Sequence, residues 1–525
     1  MKVCGFDFHR IFAENNQIIL TMSIKSYFRP FYLAAACTLV ASCQTRNVEW
    51  VSTTFENPWQ TVSVEELSEE PADAVIEIDQ NVVLGEIEGF GSCFNELGWA
   101  SLSMLTQEER DGIFRELYTP QGANFTMGRM PVGANDFSLD YYSYAEVADD
   151  FALEHFSIAH DEETLIPFIK SALAVYPDLK LWASPWCPPS WMKTNKHYAN
   201  TSTLPIKKRF EQMMKNRKDR PDDVRATGGS SFGMNPAMLP DNGLAEDKQI
   251  REGQDAFILE PQYLDTYARY FGKFVDAYKE KGIDIFMVMP QNEPNSAQWY
   301  PACTWTPEGL AMFMKYLGPE MHKRGVQMYL GTVERADVNM WNKILTDPEV
   351  APYIDGMGFQ WAGKDALPEL HKMYPDLPCY QTEQECGNGR NDWRGAMHSW
   401  DLMKHYLSNG VQSYLYWNTS LFENGVSTWG WSQNSLIVVD KDAKTFRYTP
   451  EYYVMKHASH YVLPGAKVLG LGGNYDDALA FVNPDGSTVV MAANQTEEPK
   501  AVSVVVDGKT RTFELPAESL NTIVL

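Results

Sequence analysis

Four glutamates stand where apolar, strand-like runs give out: Glu96, Glu293, Glu334 and Glu383, with Glu385 close behind the last. The clearest case is IDIFMVMPQNEPNSAQW, residues 283–299, where an apolar run stops at Gln291-Asn292-Glu293-Pro294. A carboxylate at the tip of a buried strand must be hydrated, paired or used, because burying a lone charge is costly. Two carboxyl groups facing each other across a cleft can break a glycosidic bond. One, protonated, gives its proton to the leaving oxygen; the other, ionised, attacks the anomeric carbon or activates water. Glu293 follows Asn292, whose amide can hold a sugar hydroxyl, and Glu383 follows Thr382 at the end of another run. Glu96 and Glu334 serve as well to bind hydroxyls or to pair with Arg129 and Arg335. Glu385 shares the strand parity of Glu383 and stays open as the nucleophile.

The elements that must position these residues form a repeating pattern. Strand-like runs lie at 89–94, 125–130, 179–184, 283–289, 327–332, 356–360, 379–382 and 413–417, with helical patterns between them. Thr106-Gln-Glu-Glu109 is a capping box that opens one helix. Tyr267, Tyr270, Phe271, Phe274, Val275 and Tyr278 recur at helical spacing in another. Thr306-Pro307 supplies an N-cap and an N1 proline for a third. Eight such units predict a (β/α)8 TIM barrel over 89–460, an α/β fold whose chemistry sits at the C-terminal ends of its strands. One connection, 187–260, is a long insertion, expected to wall or cover the site. Short alternating strands at 461–525 predict a small β-sandwich that borrows strands at 61–88. On this barrel the fourth and seventh strands face one another, which favours Glu293 and Glu383 as the pair.

Net charge is −25 over 525 residues, a surface that repels phosphate backbones and makes nucleic acid an unfit partner. The 15 Trp and 26 Tyr suit a carbohydrate ligand, whose C–H faces match flat aromatic rings. No CxxC, HExxH, phosphate loop or Ser-His-Asp pattern is present, so no metal and no cofactor is expected. Lys25 and Arg29 precede an apolar stretch too short to span a membrane, then Val40-Ala41-Ser42-Cys43, which resembles a bacterial lipobox. Residues 1–43 thus read as a signal segment, with Met22 as an alternative start. Cys43 reads as the lipidated residue of an exported lipoprotein on the outer membrane or periplasmic face, and 44–60 as a linker.

The motifs together resemble glycoside hydrolase family 30, the clan-A group of retaining β-glycosidases that includes glucosylceramidase. They are Gly89-Phe-Gly-Ser-Cys-Phe-Asn-Glu96, Arg129-Met-Pro-Val-Gly-Ala-Asn-Asp-Phe137, Ala183-Ser-Pro-Trp-Cys-Pro-Pro-Ser-Trp-Met-Lys-Thr-Asn195, Gln291-Asn-Glu-Pro294, Gln381-Thr-Glu383 and Trp417-Asn418. The resemblance implies a TIM barrel with a side β-sandwich. It implies Glu293 as acid/base and Glu383 as nucleophile, with Asn292 on the sugar 2-hydroxyl. It also implies that Glu96, Trp186 and Trp417 line the subsite of the cleaved sugar. Gln360, Trp361 and Asn418, at neighbouring strand tips, complete the expected substrate-binding set. Gln360 and Ala362 stand where glucosylceramidase-like members carry His and Tyr. The expected substrates are β-glucosides or β-glucan oligosaccharides. The alternatives are β-1,6-glucan, β-xyloside or β-fucoside specificity, or a non-catalytic surface glycan-binding lipoprotein. A carboxyl separation of about 5–5.5 Å is expected, with Glu293 raised in pKa and Glu383 held ionised.

Overall fold

The structure, a computed structural model, describes residues 48–64, 67–218 and 239–525. The signal segment, the lipobox and Cys43 lie outside the described residues, as does much of the Gly/Ser/Pro-rich part of the insertion.

Eight parallel strands close into a barrel: β1 (Gly89–Cys93), β2 (Met127–Pro131), β3 (Lys180–Ser184), β4 (Ile285–Val288), β5 (Gln327–Val333), β6 (Gly356–Gln360), β7 (Cys379–Glu383) and β8 (Ser413–Tyr416). They follow in chain order around the ring, and β8 pairs with β1 to complete it. The strands read as apolar or small almost throughout because helices cover the outer face and side chains fill the inner one. Gly358 on β6 shows how tight that filling is. A Cβ there would lie 2.4 Å from Met289 Cε and 2.6 Å from Thr382 Cγ2.

The outer helices follow their sequence signals. Helix Gln107–Tyr118 starts with both bonds of the Thr106–Glu109 capping box, and helix Pro307–His322 starts from Thr306 with Pro307 at N1. Helix Pro261–Glu280 buries Leu264, Tyr267, Tyr270, Phe271, Phe274, Val275 and Tyr278 along one stripe. Each such side chain contributes about 1.5–3 kcal/mol of burial.

A nine-stranded sheet stands beside the barrel. Its strands from the C-terminal part of the chain run from Lys467–Gly473 to Ser519–Val524, and it takes in Ala74–Glu86 from the N-terminal side. Trp50, on a strand near one edge, meets Phe513, on the strand at the other edge, edge-on at 5.6 Å. The sheet therefore curls into two layers around its own apolar core. The expected linker at 44–60 needs correction. Glu49–Thr54 is a strand paired with Ser519–Val524, and Gln60–Thr61 pairs with it in turn. Trp50 is the reason: it packs in the sheet core and donates Nε1–H to Asn521 Oδ1 at 3.1 Å.

Sheet and barrel are fused at a short seam. Only Ile87 and Glu88 separate Ala74–Glu86 from β1, and Ile87 exchanges two 2.7 Å backbone bonds with Gly465 and Ala466. Helix Pro450–Ser459 carries His457, whose ring nitrogens contact the Thr53 and Thr522 hydroxyls of the sheet, each at 2.8 Å. The five described cysteines are buried free thiols. Among the described residues, no group of His, Cys, Asp and Glu is arranged to hold a metal.

Candidate active site

A cavity of about 450 Å³ opens at the C-terminal ends of β4 to β7, the face where a barrel of this kind carries chemistry. The turn after β4 is built residue by residue. Gln291 is buried, accepts from Trp305 Nε1 at 3.2 Å and donates to the Trp186 carbonyl at 2.8 Å, so it holds the turn. Asn292 accepts on Oδ1 from Arg129 Nη2 at 2.7 Å and from Gln360 Nε2 at 3.2 Å. With its oxygen fixed this way, its amide nitrogen is the end left for the cavity that it lines. Glu293 sits at φ 48°, in the left-handed region that costs a non-glycine residue about 1–3 kcal/mol. Its N–H is held by Thr332 Oγ1 at 2.9 Å.

Glu383 ends β7 beyond a register shift against β6, between Gln381 and Glu383. A bulge re-aims the side chain that follows it, and Glu383 is turned toward Glu293. Gln360, the last residue of β6, joins them. Its Nε2 lies 3.1 Å from Glu293 Oε1 and 3.2 Å from Glu383 Oε2, while Thr382 Oγ1 donates to its Oε1 at 2.8 Å. The two contacts, 3.1 and 3.2 Å, thus hold one oxygen of each carboxyl group within about 6.3 Å of the other, so both groups face one site.

The two carboxyl groups differ in their partners. Arg129, fully buried on β2, donates to Glu383 Oε2 at 2.9 Å, and Trp361 Nε1 donates to Oε1 at 3.2 Å. The guanidinium is itself framed by indole rings, 4.6 Å from Trp186, 5.0 Å from Trp182 and 5.2 Å from Trp417. Among the described residues no cation forms an ion pair with Glu293, and Arg335 acts on it only through its charge. Burial, and then the charge of Glu383, push Glu293 up to about 7. Burial also raises Glu383, against the pull of Arg129 and of the Trp361 and Gln360 hydrogen bonds. Glu383 is therefore not as acidic as its donors alone predict. A proton shared by the pair still falls to Glu293, because Arg129 contacts Glu383 directly whereas Arg335 acts on Glu293 through its charge alone.

Asn292, Trp186 and Trp361 line the cavity, and Gln360 bridges it from beneath. Trp417 is fully buried, stacks on Trp186 at 4.8 Å and donates to Asp136 Oδ2 at 3.3 Å, so it backs the wall. Four expected residues are not among those that line the cavity: Gln360 and Trp417, which back it, and Glu96 and Asn418. Glu96, at the start of helix Glu96–Leu102, accepts from the Leu139 N–H at 2.9 Å and the Thr164 hydroxyl at 3.0 Å. Its helix turns it into that loop and away from the cavity. Asn418 donates to Gln433 Oε1 at 2.8 Å and accepts from Asn95 at 3.0 Å; Gln433 is the residue that reaches the cavity. Arg129 pairs with Glu383 and not with Glu96, which has His160 at 2.8 Å instead, while Arg335 donates to the Glu334 carbonyl at 3.3 Å. Glu385 lines the rim, held by Lys364 at 2.8 Å and His398 at 3.0 Å.

Asp136, Ser296, Gln298, Tyr300 and Gln433 also line the cavity and were not expected, and Trp431 lines it beside them. Asp136 is the informative omission. Burial, then Glu383 and Glu293, raise its pKa well above the usual carboxylate range. Its signal was an acidic residue inside the motif that ends at Phe137. Trp431 comes from a loop bounded by a three-stranded sheet of Ser420–Phe422, Ile437–Asp440 and Thr445–Tyr448. The described part of the insertion lines none of this cavity. It acts through Glu252, which holds the lining residue Arg335 at 2.8 Å.

Residues 87–211 and 234–462 match the glycosyl hydrolase family 30 TIM-barrel domain, and 465–523 match the family 30 beta sandwich domain. The chain is 25% identical to the lysosomal acid glucosylceramidase of Mus musculus over 446 residues, 80% of this chain and 77% of that one. It is 22% identical over 473 residues to the endo-1,6-beta-D-glucanase neg1 of Aspergillus fumigatus, covering 84% and 85% of the two chains. The solved structure of the endo-beta1,6-glucanase BT3312 superposes with a TM-score of 0.72 at 22% identity, covering 91% of this chain and 99% of that one. With a family match that runs through both barrel and sandwich, the chain belongs to glycosyl hydrolase family 30.

Proposed function

We propose that this glycoside hydrolase cleaves β-glucosides or β-glucan oligosaccharides by double displacement, with Glu293 as acid/base and Glu383 as nucleophile. The observation that carries the assignment is the shared Gln360 amide, which ties both carboxyl groups into one site while Arg129 touches only Glu383. In the first step Glu293 gives its proton to the glycosidic oxygen as the Glu383 carboxylate attacks the anomeric carbon. The C–O bond to the leaving group breaks, and a glycosyl ester forms on Glu383. In the second step Glu293, now ionised, takes a proton from water, whose oxygen displaces Glu383 and restores the starting configuration. Asn292 is assigned to the sugar 2-hydroxyl, Trp186 and Trp361 to the sugar faces, and Glu385 to the rim.

The test is chemical. Glu383→Gln is expected to lower kcat by roughly 10⁴-fold or more. Glu383→Gly with azide and an aryl β-glucoside is expected to form the inverted glycosyl azide. Near-normal turnover by Glu383→Gln, or an inverted sugar product from the native enzyme, overturns the assignment. A substrate panel of β-1,3-, β-1,4- and β-1,6-linked glucans, glucosylceramide, β-xylosides and β-fucosides then fixes the specificity. Gln360 and Ala362, in place of His and Tyr, favour glucans over the lipid glucoside. We also propose that Cys43 carries a lipid anchor, supported by the Val40-Ala41-Ser42-Cys43 motif; Cys43→Ala should release the protein from membranes and abolish fatty-acid labelling.

A further inference from the structure

A second cavity of about 300 Å³ adjoins the catalytic one. Trp361 and Glu385 line both, so they form a common wall. The rest of the second cavity comes mainly from the chain after β7 and the first turns of helix Trp393–Ser408, including Arg390, Asp392, Arg394 and His398. Its cations differ from those of the first. Lys364 and Arg335, which border the catalytic cavity, each hold a carboxylate, Glu385 and Glu252. Arg390 and Arg394 have no ion pair or hydrogen bond with any described residue. Two guanidiniums thus keep all their donors for something else. Asp392 spends one oxygen on the Gly395 N–H at 3.0 Å and keeps the other. An indole, unspent donors and an unspent acceptor around one polar cavity complement a sugar ring, with its C–H faces and its hydroxyls. A volume at the low end of ligand pockets suits one ring rather than a chain.

Resting on the family 30 reading of the catalytic cavity, we propose that this second cavity is a further subsite, holding one more ring of a β-linked oligosaccharide. Trp361 then separates two adjacent rings, and Arg390 and Arg394 donate to the hydroxyls of the outer one. Bond cleavage stays with Glu293 and Glu383; the outer ring contributes binding alone. The enzyme should therefore prefer oligosaccharides to a simple aryl glycoside.

The experiment compares the native protein with Arg390→Ala/Arg394→Ala. Both side chains are exposed and have no hydrogen bond or ion pair with a described residue to lose, so an unchanged melting temperature is expected. Calorimetric affinities for glucose and for β-1,3-, β-1,4- and β-1,6-linked gluco-oligosaccharides of two to five rings are measured first, because binding needs no turnover. Then kcat/KM is measured on an aryl β-glucoside and on the best-bound oligosaccharide. The native protein should bind one oligosaccharide series at least about tenfold more tightly than glucose. The double variant should lose about ten- to a hundredfold in oligosaccharide affinity and KM, and stay within about twofold on glucose and the aryl glucoside. Equal losses on both substrates overturn the proposal, as does unchanged oligosaccharide binding, or no series bound better than glucose. Binding without hydrolysis of any glycoside would instead overturn the catalytic reading and leave the subsite standing.

Discussion

At the scale of single residues, the site divides one proton between two glutamates by giving an arginine to only one of them. Glu293 must be protonated to act as an acid. With its pKa pushed up to about 7, kcat/KM should fall as pH rises through that value. Glu293→Gln should remove this limb and slow substrates with poor leaving groups by about 10²–10⁴-fold, while formation of the glycosyl enzyme from an activated aryl glycoside survives. Pre-steady-state release of the aryl group measures this. Glu383 must be ionised, and Arg129 is its main counterweight to burial. Arg129→Gln should therefore raise the Glu383 pKa, move the acid limb of the pH profile upward and narrow the optimum. It also leaves a buried charge without its partner, a loss of about 3–5 kcal/mol that thermal melting should register. An acid limb that stays in place in Arg129→Gln would contradict this account.

Individual elements decide where those residues point. β6 and β7 meet through Gly358, Met289 and Thr382, directly behind Glu383. Gly358→Ala puts a methyl within 2.4 Å of Met289 Cε, an overpacking that costs about 1–3 kcal/mol. Because Thr382 must move too, the variant should lose activity out of proportion to its drop in melting temperature; Met289→Ala in the same chain should restore part of both. The same elements show what sequence carries and what it does not. All eight barrel strands were legible, because a parallel strand buried on both faces must be apolar or small along its whole length. Glu293 and Glu383 were legible as charges ending such runs. The bulge on β7 was not, since a register shift leaves no mark in the pattern of residue types. Strand parity therefore kept Glu385 open as an alternative to Glu383. Glu96 was expected to bind the sugar, yet a helix that starts at Glu96 itself turns it toward the Leu139 loop. Asp136 was hidden because it lies in a loop after β2, where no periodicity flags a residue. Glu49–Thr54 was hidden because its one large apolar anchor, Trp50, pairs with a strand from the far end of the chain.

Across the whole molecule, barrel and sheet are joined by buried polar contacts as well as by the chain. His457 is the most exacting of these. Burial depresses its pKa to about 3, so the folded state keeps it neutral between the two threonines. The unfolded chain binds a proton there near its ordinary value of about 6.5, before the folded state does. Stability from this residue is thus complete above about pH 6.5 and falls by about 1.4 kcal/mol for each unit below it, until about pH 3. His457→Gln should lose less melting temperature than the native protein between pH 7.5 and 4.5; an identical loss would contradict the assignment. The seam at Ile87 and Glu88 has a separate consequence for recombination. Grafting this barrel onto a relative's sandwich by exchanging only the stretch after Tyr461 would mate native Ala74–Glu86 with foreign neighbours along its whole length. The exchangeable cassette is discontinuous, and a working chimera needs crossovers on both flanks of the barrel, near 88 and near 465, made together.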